Sequence, residues 1–198
     1  MELRARITSL FLAAAAAVAP LTASGLTYTE SVNGDLSGVR LSPTSLSLDV
    51  GSNLITGSVV MGDVDYVTLT IPAGASLAQL VLSNYATTDN LAFIAIQAGT
   101  QFTEPAIGTN VANLLGYSHI DFSQPPGQDY LQLMADNGFG AIGYTPPLPS
   151  GSYTLWIQQT GTELTGYTWN AVVTAPEPGA LALFALGLGS LLAIRTRR

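Results

Sequence analysis

The stretch Asp65-Tyr66-Val67-Thr68-Leu69-Thr70-Ile71 constrains this chain most, because it sets Val67, Leu69 and Ile71 on one side and Tyr66, Thr68 and Thr70 on the other. That two-residue period belongs to an extended strand; a helix would scatter the same apolar residues around its circumference. The pattern recurs twice. Tyr153, Leu155 and Ile157 share a side of residues 152–158, and Tyr167, Trp169, Ala171 and Val173 share a side of residues 166–174. Apolar runs at 77–85 and 91–97 read as buried strands with a turn over 84–90. Residues 27–32, 46–50 and 54–60 are further strands, separated by Asn33-Gly34 and Gly51-Ser52-Asn53. Pro72-Ala73-Gly74 is expected to stop the strand ending at Ile71. About eight short strands predict an all-β domain, an antiparallel β-sandwich or jelly roll.

Residues 104–150 interrupt this pattern with Pro105, Pro125-Pro126-Gly127 and Pro146-Pro147-Leu148-Pro149. A short helix near 110–115 and a short strand at 130–134 are expected there, the rest forming a surface loop.

Charge limits the partners. Arg40 is the only Lys or Arg in residues 25–174 and stands against 11 acids, a net charge of −10 for that body. A nucleic-acid partner needs a basic footprint, and this body has none. The chain has no cysteine, so disulfides, thiolate nucleophiles and Cys-ligated metals are excluded.

The two ends differ from the body. Residues 1–24 carry Arg4 and Arg6, then an apolar run over 7–19, then small residues up to Ser24, the plan of a secretory signal peptide. At the other end Pro176-Glu177-Pro178 precedes an uncharged apolar stretch, residues 179–194, and then Arg195, Arg197 and Arg198. As a helix that stretch would be roughly 24 Å long, close to a bilayer core once the arginines snorkel. Cytoplasmic arginines put the body outside, in agreement with the signal peptide. Three segments are therefore expected: residues 1–24 as a signal helix, 25–174 as a secreted β domain, and 175–198 as a sorting segment with a transmembrane helix.

This order of Pro176-Glu177-Pro178, apolar stretch and arginine cluster resembles the PEP-CTERM sorting signal of Gram-negative bacteria. The resemblance implies export across the inner membrane, a transient C-terminal anchor, and processing by signal peptidase and an exosortase. It also implies a destination at the cell surface or in an extracellular matrix with exopolysaccharide. The body in turn resembles the bacterial pre-peptidase C-terminal type of β-sandwich. The similar stretches are residues 57–66 with Asp63 and Asp65, the strand to Ile71 with Pro72-Ala73-Gly74, Leu148-Pro149-Ser150-Gly151-Ser152-Tyr153-Thr154-Leu155, and Gly166-Tyr167-Thr168-Trp169. Such domains accompany secreted enzymes and surface proteins and are not themselves catalytic.

The search for chemistry yields few candidates. His119, the only histidine, lies in Ser118-His119-Ile120-Asp121, but neighbours in sequence do not make a triad, and no Gly-x-Ser-x-Gly elbow occurs. Gly138-Phe139-Gly140-Ala141-Ile142-Gly143 follows no strong strand and opens no helix, so it is no phosphate loop. Asp63 and Asp65 flank Val64, share a side of an extended segment, and are either turn-forming aspartates or ligands for calcium, which takes oxygen donors. Asp89-Asn90 or Asp136-Asn137 would supply further oxygens. Trp156, with Tyr144 or Tyr66, would form a platform for sugar if exposed, and second-face packing if not. No other cofactor is expected. The expectation for the whole chain is an exported surface or matrix protein without catalysis of its own. A carbohydrate- or calcium-binding module and a secreted hydrolase are the alternatives.

Overall fold

The computed structural model describes residues 25–89, 92–120 and 126–176. Its elements are β1 (Thr27–Thr29), α1 (Glu30–Asn33), β2 (Thr44–Ser47), β3 (Gly51–Val59), β4 (Val64–Ala86), β5 (Ala92–Ala98), a 3-10 turn (Val111–Asn113), β6 (Gly116–Ile120), β7 (Gln128–Asp129), α2 (Tyr130–Asn137), β8 (Leu148–Gln159) and β9 (Thr165–Thr174). The protein is mostly β, as the alternation requires. The nine strands among the described residues form one mixed sheet in the order β1-β3-β9-β4-β8-β5-β6, with β2 and β7 also paired to β4.

The sheet is not purely antiparallel, contrary to expectation. β1 runs parallel to β3 and β2 runs parallel to β4. A parallel pair needs a crossover between its strands. Residues 30–50, with α1 and β2, supply it for the first pair, and β3 supplies it for the second.

Pro72-Ala73-Gly74 does not stop its strand. β4 continues through it for 23 residues and changes partners on the way. Val64–Ile71 pairs with β8, Ser76–Ala86 pairs with β9, and the register on β8 shifts between Ile71 and Ser76. Gly74 takes φ 76°, open to glycine without a Cβ penalty, and Pro72 sits where the ladder is already interrupted. Asn84, expected in a turn, is still paired with Thr168 of β9.

Apolar residues of both halves of β4 enter one cluster. Val67, Leu69, Leu155 and Ile94 meet Leu80, Ile55, Tyr167 and Trp169 there, on the sides the alternation assigned to them. The opposite face of β4, β8 and β5 is buried as well. Tyr66, Ala95, Phe102, Leu114 and Trp156 form a second cluster. Phe102 and Leu114 come from the proline-containing connection between β5 and β6, so part of that stretch is a cover rather than a free loop. It is fastened by Arg40, whose Nη1 donates to the carbonyls of Phe102 and Thr103, and by Gln97, whose Nε2 donates to Thr103 and to the Asn113 carbonyl. This second cover buries Tyr66 and Thr68, which a one-sided sheet would have left outside.

The 3-10 turn falls where a short helix was expected. Residues 130–134 are helical, not extended. Asp129 caps α2 by accepting from the Leu131 amide at 3.0 Å, and Tyr130, Leu131 and Met134 bury one helical side. The same Asp129 oxygen accepts from the Leu80 amide at 3.0 Å and ties the helix start to β4.

Residues Ala23–Glu177 make one compact unit. No helix among the described residues is long and apolar enough to cross a membrane. The signal segment 1–24, Glu177, Pro178, the apolar stretch 179–194, Arg195, Arg197 and Arg198 lie outside the described residues.

Candidate acidic site

The sheet brings three distant carboxylates together. One carboxylate oxygen from each of Glu30, Asp35 and Asp65 lies within 4.8 Å of the others. Each is placed for a traceable reason. Asp65 precedes Val67 and Leu69 by two and four residues, so strand alternation aims it at the core side of β4. It is 0 % exposed. Glu30 opens α1, directly after β1. Its Oε2 accepts from the Ser58 amide of β3 at 2.8 Å, and its Oε1 accepts from the Leu36 amide at 3.4 Å. Asp35 sits beside Leu36, a fully buried anchor, and two residues before Ser37, whose carbonyl accepts from the Tyr66 amide at 2.8 Å. That bridge holds the segment of Asp35 against the start of β4. The Tyr28 hydroxyl closes the turn between them by donating to the Gly34 carbonyl at 2.7 Å.

Tyr167 completes the site. It lies opposite Gly57 in the β3–β9 ladder, and its hydroxyl donates to Asp65 Oδ2 at 2.5 Å. A methyl group on Gly57 would stand 2.5 Å from that hydroxyl and 2.8 Å from Glu30 Oε1, so the absence of a side chain there lets the phenol and the glutamate approach. The other Asp65 oxygen, Oδ1, is buried without a hydrogen-bond partner. Glu30, half-buried, and Asp35, exposed, line an open groove of about 430 Å³ that Gly57 and Ser58 also border.

Electrostatics follow from burial among like charges. Desolvation, outweighing the Tyr167 hydrogen bond that favours the carboxylate, pushes Asp65 up to about 8, with Glu30, Asp63 and Asp35 adding to the rise. Burial also raises Glu30, against the amides of Ser58 and Leu36, which hold it down. Asp63 is raised by partial burial and by Asp35. Desolvation and the Asp65 charge keep the Tyr167 phenol well above its ordinary value. Arg40, the only arginine among the described residues, is engaged with the Phe102 and Thr103 carbonyls.

Of the two aspartates that the sequence singled out, Asp65 joins the cluster and Asp63 does not. Asp63 is half-buried in the turn before β4 and is not one of the three clustered acids. Glu30 and Asp35, 35 and 30 positions earlier by residue number, supply the neighbouring oxygens instead. Asp136 accepts from Gln132 within α2, and Asp89 abuts Gly161, so neither joins the cluster. Asn90 lies outside the described residues.

A sugar platform would need Trp156 exposed, and the structure buries it in second-face packing. Trp156 is 3 % exposed, meets Phe93 and Phe102 edge-on at 5.0 and 5.5 Å, and stacks on Tyr66 at 6.3 Å. Tyr144 packs against the other cluster, and its hydroxyl donates to the Leu131 carbonyl at 2.6 Å. The two rings do not share a face. His119 is exposed on β6 and meets Phe93 edge-on at 5.7 Å, whereas Ser118 points to the buried side of the same strand. Asp121 lies outside the described residues.

Comparison with protein-family models, curated proteins and solved structures gave no match.

Proposed function

We propose that the chain is an exported, exosortase-sorted protein of the cell surface or extracellular matrix, whose β domain binds rather than catalyses. The observation that carries this reading is where the last strand of the described residues ends. β9 ends at Thr174, followed by exposed Ala175 and Pro176, so the Pro176-Glu177-Pro178 motif begins just beyond the last paired residue. At the other end Gly25 packs so closely on the Ser52 carbonyl that no side chain would fit, and the Leu26 amide donates to Asn53 at 3.1 Å. Cleavage at residues 23–24 and after Pro176 would therefore leave every strand of the sheet intact. The resemblance of the termini to a signal peptide and to the PEP-CTERM signal supplies the rest.

The change of partners along β4 supports reading the sheet as a sandwich, with β2, β5, β6 and β8 around its first half and β1, β3, β7 and β9 around its second. The stretches similar to the pre-peptidase C-terminal type fall on β3, β4, β8 and β9, which are neighbours in the order β3-β9-β4-β8. Domains of that type accompany secreted enzymes and surface proteins and are not themselves catalytic, which suits a role without catalysis of its own.

The test is the intact mass of the protein recovered from surface and medium fractions of its native host, wild type against Glu177→Ala. A mature species without the first two dozen residues and without the tail beyond Pro176, with tail loss abolished in the variant, is the expected result. A mature species that still carries Arg198 would replace this reading with a simple tail anchor.

A further inference from the structure

We propose that Glu30, Asp35 and Asp65 form a calcium site that joins the segment carrying α1 to the first half of β4. Three features of the site point to a cation. The first is spacing. Calcium holds oxygens at about 2.4 Å, so ligands on opposite sides of the ion stand up to about 4.8 Å apart. The three carboxylates fall within that span, each atom within 4.8 Å of the other two.

The second is Asp65 Oδ1. A carboxylate oxygen with no exposure and no donor has lost water and received nothing in exchange. Its sister oxygen is already committed to the Tyr167 hydroxyl. A neutral partner would satisfy one lone pair; a cation shared with Glu30 and Asp35 would satisfy the charge as well.

The third is the lack of a counter-charge. Glu30, Asp35, Asp63 and Asp65 repel one another, and the phenols of Tyr28 and Tyr167 add only neutral groups. The sole arginine of the described residues is bonded elsewhere. Only protons or an added cation can balance such a cluster.

Calcium fits the donor set better than other ions. All three ligands are hard carboxylate oxygens, and the clustered groups include no histidine or cysteine, which disfavours zinc. Calcium accepts six to eight oxygens in irregular arrangement, and the open groove beside Glu30 and Asp35 admits water for the remaining positions. Magnesium demands a near-ideal octahedron and sheds water reluctantly, a poor match for a ligand buried as deeply as Asp65. The site stands apart from the sorting proposal: it concerns the β domain whether or not the tail is cleaved.

The experiment uses the full chain, stripped with EDTA and titrated with calcium chloride by calorimetry and by thermal melting. Terbium provides a direct probe, because Tyr167 lies close enough to sensitise its emission. One ion per chain is expected. At calcium 100-fold above Kd, Tm should rise by roughly 5–10 °C. Asp35→Asn changes an exposed side chain, so the fold should survive while affinity falls at least roughly tenfold. Asp65→Asn should abolish terbium emission. Magnesium chloride at equal concentration should give a distinctly smaller rise. A folded wild-type chain that shows neither heat nor a Tm change at about 10 mM calcium overturns the proposal, since even weak extracellular calcium modules fill in that range. So does an Asp35→Asn protein that binds as tightly as wild type.

Discussion

Asp65→Asn should remove the pH dependence of stability that its carboxyl imposes. In the fold this carboxyl rises from 3.8 to about 8 because burial penalises the charged form. The direction of the effect is fixed by linkage. Below about pH 4 the group is protonated in both folded and unfolded chains and contributes no difference. Between about pH 4 and pH 8 only the unfolded chain ionises, so each pH unit favours unfolding by about 1.4 kcal/mol. The metal-free wild type should thus lose about 4 kcal/mol between pH 5 and pH 8 through this residue alone, an order-of-magnitude figure. Asparagine has nearly the same shape, can still accept from Tyr167, and has no proton to lose. Glu30 and Asp63 are raised too and slope the same way, but they remain in both proteins and largely cancel in the difference. Urea denaturation in EDTA, at half-unit steps from pH 5 to pH 8, measures that difference. The variant should gain on the wild type by about 4 kcal/mol across the series and be the more stable protein at pH 8. Curves that stay parallel within about 1 kcal/mol would refute the assignment of Asp65 as a buried, proton-holding acid.

Two further substitutions test the packing. Asp129→Ala removes both the cap of α2 and the only side-chain acceptor at the Leu80 amide, and should cost about 2–4 kcal/mol in urea unfolding, whereas Asp129→Asn should restore most of it. Trp156→Ala empties the centre of the Tyr66–Phe93–Phe102 cluster and should cost about 3–5 kcal/mol; a loss below about 1 kcal/mol would mean that the connection between β5 and β6 is not packed on the sheet.

The sheet was legible wherever one side of a strand faces the core. Val67, Leu69 and Ile71, and the residues from Tyr167 to Val173, fall as their alternation requires, because period two has a single physical cause. Legibility ended where burial was two-sided. Tyr66 and Thr68 looked outward only because nothing local reports that Phe102 and Leu114 will return over that face. Pro72-Ala73-Gly74 carries genuine breaker residues, yet a long strand can absorb them by bending and exchanging β8 for β9. For residues 130–134 the missed signal was Asp129, an N-cap residue followed by apolar residues at positions 1, 2 and 5 of the helix.

The acidic site shows the same limit in sharper form. The alternation that assigned Val67 and Leu69 to the core also assigned Asp65 to it, two residues earlier on the same side. Reading the aspartate as turn-forming set polarity above geometry. Geometry decides, because a paired strand cannot turn one side chain outward without moving its neighbours off the core. An acid held inside in this way must find donors or share a charge, and its partners are set by which strands lie beside it, not by nearness in sequence. Parallel pairing of β1 with β3 delivers Glu30 to Ser58, and the bridge from Ser37 to Tyr66 delivers Asp35. Neither pairing leaves a mark in the sequence around Asp65. The one visible trace is Gly57, a glycine within a paired strand, and such a residue signals close approach of other groups before it is known which groups those are.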